Sequence, residues 1–178
     1  MQATENQAQE TFEGFFIDIL LEACRMGDHQ NSDSTVQRQA ECIIFEKVCK
    51  WLGLSELQRN PTIFLTDASY PRIEPDFYSG KHLIVGEIFA HVGPPKRGQH
   101  NKISNDILKM LLLDKMTRIT HRKIIVVCDT REENALRGES ALAECIRQFG
   151  IEIKRIDLDA ETREKILFAQ EQQFMVNR

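Results

Sequence analysis

The sequence predicts a single α/β domain in which helices flank a mixed central sheet, preceded by a separate N-terminal helix. Three observations support this fold class. The chain has 178 residues and is 42% apolar, which is enough to bury one substantial core. Its apolar residues recur at helical spacing before Pro61 and at strand spacing beyond it. Helical and strand segments then alternate, which is typical of helices that cross over a sheet.

The N-terminal segment predicts an amphipathic helix over residues 9–26. Its apolar face carries Phe12, Phe15, Phe16, Ile19 and Leu20. A polar linker follows over residues 27–34, so residues 1–34 form the helix and linker and residues 35–178 form the α/β domain. The apolar face must be covered. Packing against the sheet is one alternative, and a homodimer or a protein partner bound through this helix is the other.

The α/β domain begins with a predicted helix over residues 35–52, which Ser34 or Thr35 would cap and Gly53 would end. The turn residues Ser79 and Gly80 separate later strands. The remaining elements are predicted in this order: strands at 62–66, 72–78 and 82–90, a helix at 101–116, a strand at 123–128, a helix at 133–149, a strand at 152–158 and a helix at 160–174. A meander followed by helical crossovers makes a mixed sheet.

Composition excludes several classes of protein. No apolar run reaches the ~20 residues of a membrane-spanning helix, and residues 1–10 lack the order of a secretory signal. We therefore expect a cytoplasmic protein with no membrane partner. The five cysteines are scattered without metal-ligand spacing, which indicates small buried side chains rather than disulfides or a zinc site. The net charge of -4 disfavours binding through bulk electrostatics, but it is compatible with an acidic site beside a local basic strip.

Two carboxylates stand where two neighbouring predicted strands would pair. Asp76 follows Pro75, and Glu87 lies near the end of the next strand. If these strands form a hairpin, the carboxylates meet at one edge of the sheet, about 4 to 7 Å apart, where they can share a metal ion. Mg²⁺ commonly takes one or two carboxylates together with water and substrate phosphate. The pair therefore predicts a divalent-metal site that polarises a phosphoryl group.

The Pro75-Asp76 pair, the connecting turn and Glu87 on the next strand resemble the PD-(D/E)XK signature of restriction-endonuclease-like nucleases. The resemblance covers residues 36–128 and implies a restriction-endonuclease-like fold. It also implies a Mg²⁺- or Mn²⁺-dependent nuclease that acts on nucleic acid, with DNA preferred over RNA. Asp76 and Glu87 would be metal ligands. Glu41, on the first helix of the domain, would be an added metal-supporting glutamate, or else a helical residue that faces solvent.

The chain departs from this signature at the lysine expected two residues after the glutamate, where it has Phe89. Some members of the superfamily carry the lysine on the following helix. This chain offers Lys102 and Lys109 there, with Asp106 between them on one helical face. A solvated polar stripe is the alternative, because the apolar residues of this helix lie on the opposite side. His91 is a rival base or substrate contact, or a structural histidine.

A loop rich in Gly, Pro and basic residues, over residues 93–102, lies beside the proposed carboxylates. Lys96, Arg97 and Lys102 would position a nucleic-acid backbone without reading its bases. An exposed basic turn is the alternative. Asp129 follows a predicted strand, but no Gly-rich phosphate-binding turn accompanies it. We interpret Asp129 as the cap of the next helix.

Two functional hypotheses follow. The first is a nuclease in which Asp76 and Glu87 hold the metal ion and Lys102 or Lys109 replaces the missing lysine. The second is a catalytically inactive module of the same fold that binds nucleic acid or a protein partner. Phe89 is the main argument for the second hypothesis, because an aromatic side chain cannot stabilise charge on a transferring phosphate.

Overall fold

A computed structural model describes residues 32–67, 70–93 and 97–176. The N-terminal helix expected over residues 9–26 therefore lies outside the described residues, as does Lys96 of the basic loop. The described residues form five helices and seven strands. In chain order these are α1 (Ser32–Leu52), β1 (Gln58–Arg59), β2 (Ile63–Phe64), β3 (Arg72–Ile73), β4 (Phe77–Ser79), β5 (Ile84–Phe89), α2 (Arg97–Thr117), β6 (Arg122–Val127), α3 (Thr130–Leu136), α4 (Ala141–Gln148), β7 (Glu152–Arg155) and α5 (Ala160–Val176).

The central sheet has five strands in the order β1-β4-β5-β6-β7. The pairs β1–β4 and β4–β5 are antiparallel, whereas β5–β6 and β6–β7 are parallel. Parallel neighbours need a crossover connection, and α2 provides it between β5 and β6. The predicted α/β class with a mixed sheet flanked by helices is confirmed.

The predicted three-strand meander is only partly correct. The predicted strands at 62–66 and 72–78 contribute β2 and β3, which pair with each other in a separate two-stranded sheet. The second of these predicted strands is interrupted before β4 at Glu74-Pro75, because proline has no backbone N–H to donate to a sheet. The edge strand of the central sheet is β1, which the sequence analysis did not predict.

The predicted helix at 133–149 consists of two short helices, α3 and α4. The break contains Gly138, and Ser140 then caps α4 by accepting a hydrogen bond from the backbone N–H of Ala143 at 3.1 Å. Glycine and an N-capping serine favour a helix boundary over a continuous helix. The four described cysteines are free. Cys42 and Cys128 are buried as expected, but the same expectation is wrong for Cys145, which is exposed.

Two apolar layers cover the two faces of the sheet. Residues Ala40, Ile44 and Val48 of α1 pack on one face with Ile84 and Ile88 of β5. On the other face, α2 packs against Val85 and Phe89 of the same strand. Because side chains alternate along a strand, Glu87 shares the α2 face with Val85 and Phe89. This alternation decides which helix can contribute to a site around Glu87.

Candidate functional site

The β4–β5 hairpin brings Asp76 and Glu87 together. Its register pairs Phe77 with Gly86, so the next position outward places Asp76 opposite Glu87. Residues opposite each other in an antiparallel pair share a face, with Cβ atoms about 4.5 to 5.5 Å apart. The backbone N–H of Ile88 donates a hydrogen bond to Asp76 Oδ2 at 2.6 Å. The hairpin expected from the sequence is thus present, and it orients the Asp76 carboxylate across the strands.

Gly86 allows the strands beside Glu87 to approach closely. A Cβ atom at this position would lie 2.1 Å from Cζ of the Phe77 ring and 2.6 Å from the backbone oxygen of Ile124. Neither neighbour is the flexible end of a long side chain, so a larger residue would displace the strands. The absence of a side chain at Gly86 therefore contributes to the placement of Glu87.

Glu87 is a buried carboxyl group in an acidic environment. Its residue is 4% exposed, and its Oε1 atom has no hydrogen-bond partner. Burial raises the pKa of Glu87 to about 9, with further contributions from the negative charges of Asp76 and Asp106 and from a hydrogen bond with Asp76. The positive charge of Lys109 opposes this rise. Glu87 is therefore protonated at neutral pH unless a cation approaches it.

Asp106 and Lys109 of α2 complete the cluster on this face of the sheet. Asp106 is 1% exposed, and its Oδ1 accepts a hydrogen bond from Lys109 Nζ at 2.7 Å. The Oδ2 atom of Asp106 is buried without a hydrogen-bond partner. The hydrogen bond to Asp106 raises the pKa of Lys109 despite partial burial, helped by the charges of Asp106, Glu87 and Asp76. Lys109 is therefore a fixed positive charge beside three carboxyl groups.

The spacing of Lys102, Asp106 and Lys109 predicts that the three residues share a polar stripe, but it does not assign Asp106 to the site. The alternative of a solvated stripe is wrong for Asp106, which is buried. Its two lysine neighbours on the stripe are exposed.

The two candidate lysines have different surroundings. Lys102 Nζ lies 5.1 Å from the ring centroid of Phe89, in a cation–π contact. Lys109, in contrast, is paired with Asp106 and interacts electrostatically with Glu87. Arg97 is the first residue of α2. The aromatic residue that occupies the expected lysine position thus lies beneath Lys102, whereas Lys109 is the cation of the acidic cluster.

Glu41 lies on the helix that covers the other face of the sheet. The side-chain charges that act most strongly on Glu87 are those of Asp76, Asp106 and Lys109. Its assignment as a metal-supporting residue stays a prediction.

His91 contacts a glutamate that sequence reasoning missed. His91 Nδ1 and Glu132 Oε2 are 3.5 Å apart, and Glu132 is 1% exposed. Glu132 lies in the first turn of α3, where acidic residues usually face solvent and stabilise the helix end. Its burial depends on how α3 packs, which a local pattern does not specify.

Asp129 has the structural role that the sequence predicted. Its Oδ1 caps α3 by accepting a hydrogen bond from the backbone N–H of Arg131 at 2.8 Å. Its Oδ2 accepts hydrogen bonds from the backbone N–H of Gly93 at 3.1 Å and from Arg163 Nη2 at 2.7 Å. With three such donors, Asp129 fixes the segments around it rather than offering a free carboxylate to a ligand.

Across residues 32–67, 70–93 and 97–176, no group of three or more His, Cys, Asp and Glu side chains is arranged to hold a metal ion. One or two carboxylates are sufficient for Mg²⁺, which keeps several of its waters. No helix in the described part of the chain is long and apolar enough to cross a membrane.

No protein family, curated protein sequence or solved structure matches the chain in comparisons with known proteins. The geometry and chemistry of the Asp76–Glu87 cluster are therefore the evidence for a function.

Proposed function

We propose that the protein is a divalent-metal-dependent nuclease that hydrolyses phosphodiester bonds in nucleic acid. One observation carries the proposal: a hairpin and a helix bring Asp76, Glu87 and Asp106 together on one face of the sheet, beside the ammonium group of Lys109. Buried carboxyl groups are costly unless they are paired or bind a cation. Their accumulation beside one lysine indicates a site suited to a cation.

The donor atoms fit a hard divalent cation. Glu87 Oε1 and Asp106 Oδ2 are buried oxygens without hydrogen-bond partners, and oxygen ligands are those that Mg²⁺ and Mn²⁺ prefer. Asp76 and Glu87 would hold the ion, with Asp106 close enough to add to the negative potential. When bound, the ion would supply Lewis-acid polarisation of a phosphoryl oxygen and lower the pKa of a coordinated water.

The chain's own residues would perform the remaining tasks. Asp106 holds the ammonium group of Lys109 at 2.7 Å, so Lys109 would stabilise negative charge that develops on the phosphate. Asp106 would act as a positioning residue for that lysine. Lys96, which precedes α2, and Arg97 and Lys102, which lie in its first two turns, would contact the phosphate backbone of the substrate. DNA rather than RNA is the substrate that the PD-(D/E)XK resemblance favours.

One observation favours the catalytically inactive alternative. Phe89 is 6% exposed and occupies the position where the nuclease signature has a lysine. An inactive module would keep the hairpin and the basic start of α2, and it would bind nucleic acid or a protein partner without cleaving it.

The test is cleavage by the purified full-length protein of end-labelled single- and double-stranded DNA and RNA, with Mg²⁺ or Mn²⁺ and with EDTA. Asp76→Asn and Glu87→Gln should each abolish cleavage and weaken binding of Mg²⁺ in isothermal titration, because each removes a negative oxygen ligand. Glu139→Gln is the matched control, since Glu139 is exposed and lies outside the cluster.

The outcomes separate the two candidates. Metal-dependent cleavage that disappears in Asp76→Asn and Glu87→Gln but persists in Glu139→Gln supports the nuclease. Binding of nucleic acid without cleavage supports the inactive module. A protein that neither binds nor cleaves these substrates contradicts the nuclease and leaves only the form of the inactive module that binds a protein partner.

A further inference from the structure

His91 and Glu132 form a second buried polar site, distinct from the Asp76–Glu87 cluster. His91 lies just beyond the end of β5, and Glu132 lies in α3, which follows β6. The side chain of His91 is 13% exposed and that of Glu132 is 1% exposed. Both ring nitrogens of His91 and both carboxyl oxygens of Glu132 are buried without a hydrogen-bond partner.

The two side chains do not satisfy each other. His91 Nδ1 and Glu132 Oε2 are 3.5 Å apart, which exceeds the 2.7 to 3.2 Å of an N–H···O hydrogen bond. An unpartnered buried carboxyl or imidazole group loses its hydration without compensation. In contrast, two ligand atoms bound at about 2.1 Å to one tetrahedral metal ion are about 3.4 Å apart. The observed separation fits two ligands of a shared ion.

The backbone around His91 is held by contacts that do not use its ring. The thiol of Cys128 donates to the backbone oxygen of His91 at 3.1 Å. The side chain of Gln170 bonds to both the N–H and the carbonyl of Val92, at 3.0 and 2.9 Å. The N–H of Gly93 donates to Asp129, which also caps the helix that carries Glu132. Asp129 therefore links the two segments, and such support is what a preorganised site requires.

We propose that His91 and Glu132 bind a transition-metal ion of the Zn²⁺ class. Imidazole and carboxylate ligands together suit Zn²⁺, Co²⁺ and Mn²⁺, whereas Mg²⁺ takes oxygen ligands. In the described part of the chain no third His, Cys, Asp or Glu side chain completes the site, so water or a substrate atom would fill the other positions. Catalytic zinc sites also keep an open position but usually have three protein ligands, so this site would leave more of the coordination to water or substrate.

This second ion would be separate from the one proposed for Asp76 and Glu87. The two sites use different helices, since Asp106 and Lys109 lie on α2 and Glu132 lies on α3. The hydrogen bonds that support the two sites also differ, because the backbone around His91 is held through Cys128, Gln170 and Asp129. The inference therefore does not depend on the proposed nuclease activity, and metal binding at His91 and Glu132 can be tested without any substrate.

The experiment is a titration of metal-free full-length protein with Co²⁺, followed by visible absorption and then by displacement with Zn²⁺. All proteins in this experiment carry Glu87→Gln, because this substitution weakens metal binding at the Asp76–Glu87 cluster. We expect one Co²⁺ with the visible bands of a low-coordinate site. His91→Gln and Glu132→Gln, each added to this background, should weaken binding by about 100-fold or more, beyond the 10- to 100-fold typical of residues that only support a ligand. The controls are His82→Gln and Glu139→Gln, each added to the same background. Both His82 and Glu139 are exposed.

Thermal unfolding of the same proteins shows whether a loss of binding is specific. Without metal, Glu132→Gln should keep or raise the Tm, because it replaces a buried carboxyl group that has no hydrogen-bond partner with a neutral group of nearly the same shape. Zn²⁺ should raise the Tm of the background protein but not that of the variants with His91→Gln or Glu132→Gln. Equal Co²⁺ affinity in the background and in both variants would overturn the proposal. The proposal would also be overturned if Co²⁺ gives no visible bands and Zn²⁺ does not change the Tm. His91 and Glu132 would then be a buried polar pair that binds no metal.

Discussion

Two polar clusters involve the same helix, α2, and their buried charges are compensated very differently. Near the end of α2, Asp114 Oδ2 accepts a hydrogen bond from Lys123 Nζ at 2.7 Å. Asp114 Oδ1 accepts one from the backbone N–H of His121 at 3.0 Å and lies 2.8 Å from the His121 ring Nδ1. Lys123 also donates to the backbone oxygen of His121 at 3.1 Å. Nearer the start of α2, in contrast, Asp106 and Glu87 each keep a buried oxygen without a partner.

The pKa values of Asp114 and Glu87 shift in opposite directions because of this difference. Burial acts against the charged form of Asp114, but hydrogen bonds from Lys123 and His121 outweigh it and lower the pKa. Burial also acts against the charged form of Glu87, and there the neighbouring carboxylates add to it and raise the pKa to about 9. Burial is thus common to both clusters, and the partners differ. The first arrangement favours stability, whereas the second is suited to receive a cation.

The largest effect on stability is expected at the compensated cluster. Asp114→Ala would leave the Lys123 ammonium, whose side chain is 6% exposed, without its anion. Removal of one partner of a buried pair costs about 3 to 5 kcal/mol, which urea unfolding would measure. Lys165→Ala, in the exposed pair with Glu161, should change stability by less than about 0.5 kcal/mol.

The same Asp114→Ala variant tests whether this cluster is purely structural. Its cleavage rate per folded molecule should equal that of the parent at a temperature where both are folded. A folded Asp114→Ala protein that no longer cleaves would contradict the division of the helix into a structural and a functional cluster.

The next largest effect is expected at the uncompensated cluster. Lys109→Ala should lower the cleavage rate about 100-fold or more, because preorganised electrostatic stabilisation of a transition state is worth about 3 kcal/mol. Binding of Mg²⁺ should survive, since Lys109 is not an oxygen ligand. Single-turnover kinetics and isothermal titration measure the two quantities separately. Loss of metal binding together with cleavage would instead indicate that Lys109 acts by holding Asp106 in place.

Much of the fold was predictable because its main elements leave clear patterns in the sequence. The strands β5 and β6 are apolar runs of six residues each, and α2 has 21 residues with apolar positions at helical spacing. The strands β1, β2 and β3 have two residues each, which is too short for any period. Their pairing depends on neighbouring chain segments, so the small β2–β3 sheet could not be predicted from local patterns.

The candidate site was also predictable only in part. Asp76 and Glu87 were identified because they stand on neighbouring predicted strands and resemble the Pro-Asp and Glu positions of the PD-(D/E)XK signature. The burial of Asp106 and Glu132 was not predictable, since it depends on how tightly α2 and α3 pack on the sheet. The spacing of Lys102 and Lys109 placed both on one helical face but could not show that Phe89 lies beneath the first and Asp106 beside the second.

A smaller effect is expected in the pH dependence of stability. A carboxyl group whose pKa rises from 4.5 to about 9 on folding holds its proton more tightly in the folded chain. The contribution of Glu87 to stability therefore falls as pH rises through this window, by up to about 1.4 kcal/mol per pH unit. Glu87→Gln should remove this slope and make the protein more stable than the parent at pH 8. Urea unfolding from pH 5 to 9 is the measurement, and Glu139→Gln should keep the parent's slope.

The smallest effect is expected at Lys102, and it decides which lysine serves the site. Its ammonium contacts the Phe89 ring at an exposed position, so Lys102→Ala should cost only about 0.5 to 1 kcal/mol of stability. Lys102→Ala should weaken binding of nucleic acid and reduce the salt dependence of that binding by the amount typical of one phosphate contact. The cleavage rate at saturating substrate should stay near that of the parent. If Lys102→Ala instead lowers that rate about 100-fold and Lys109→Ala does not, Lys102 is the displaced lysine. If both variants keep full activity, neither Lys102 nor Lys109 replaces the lysine that is missing at Phe89.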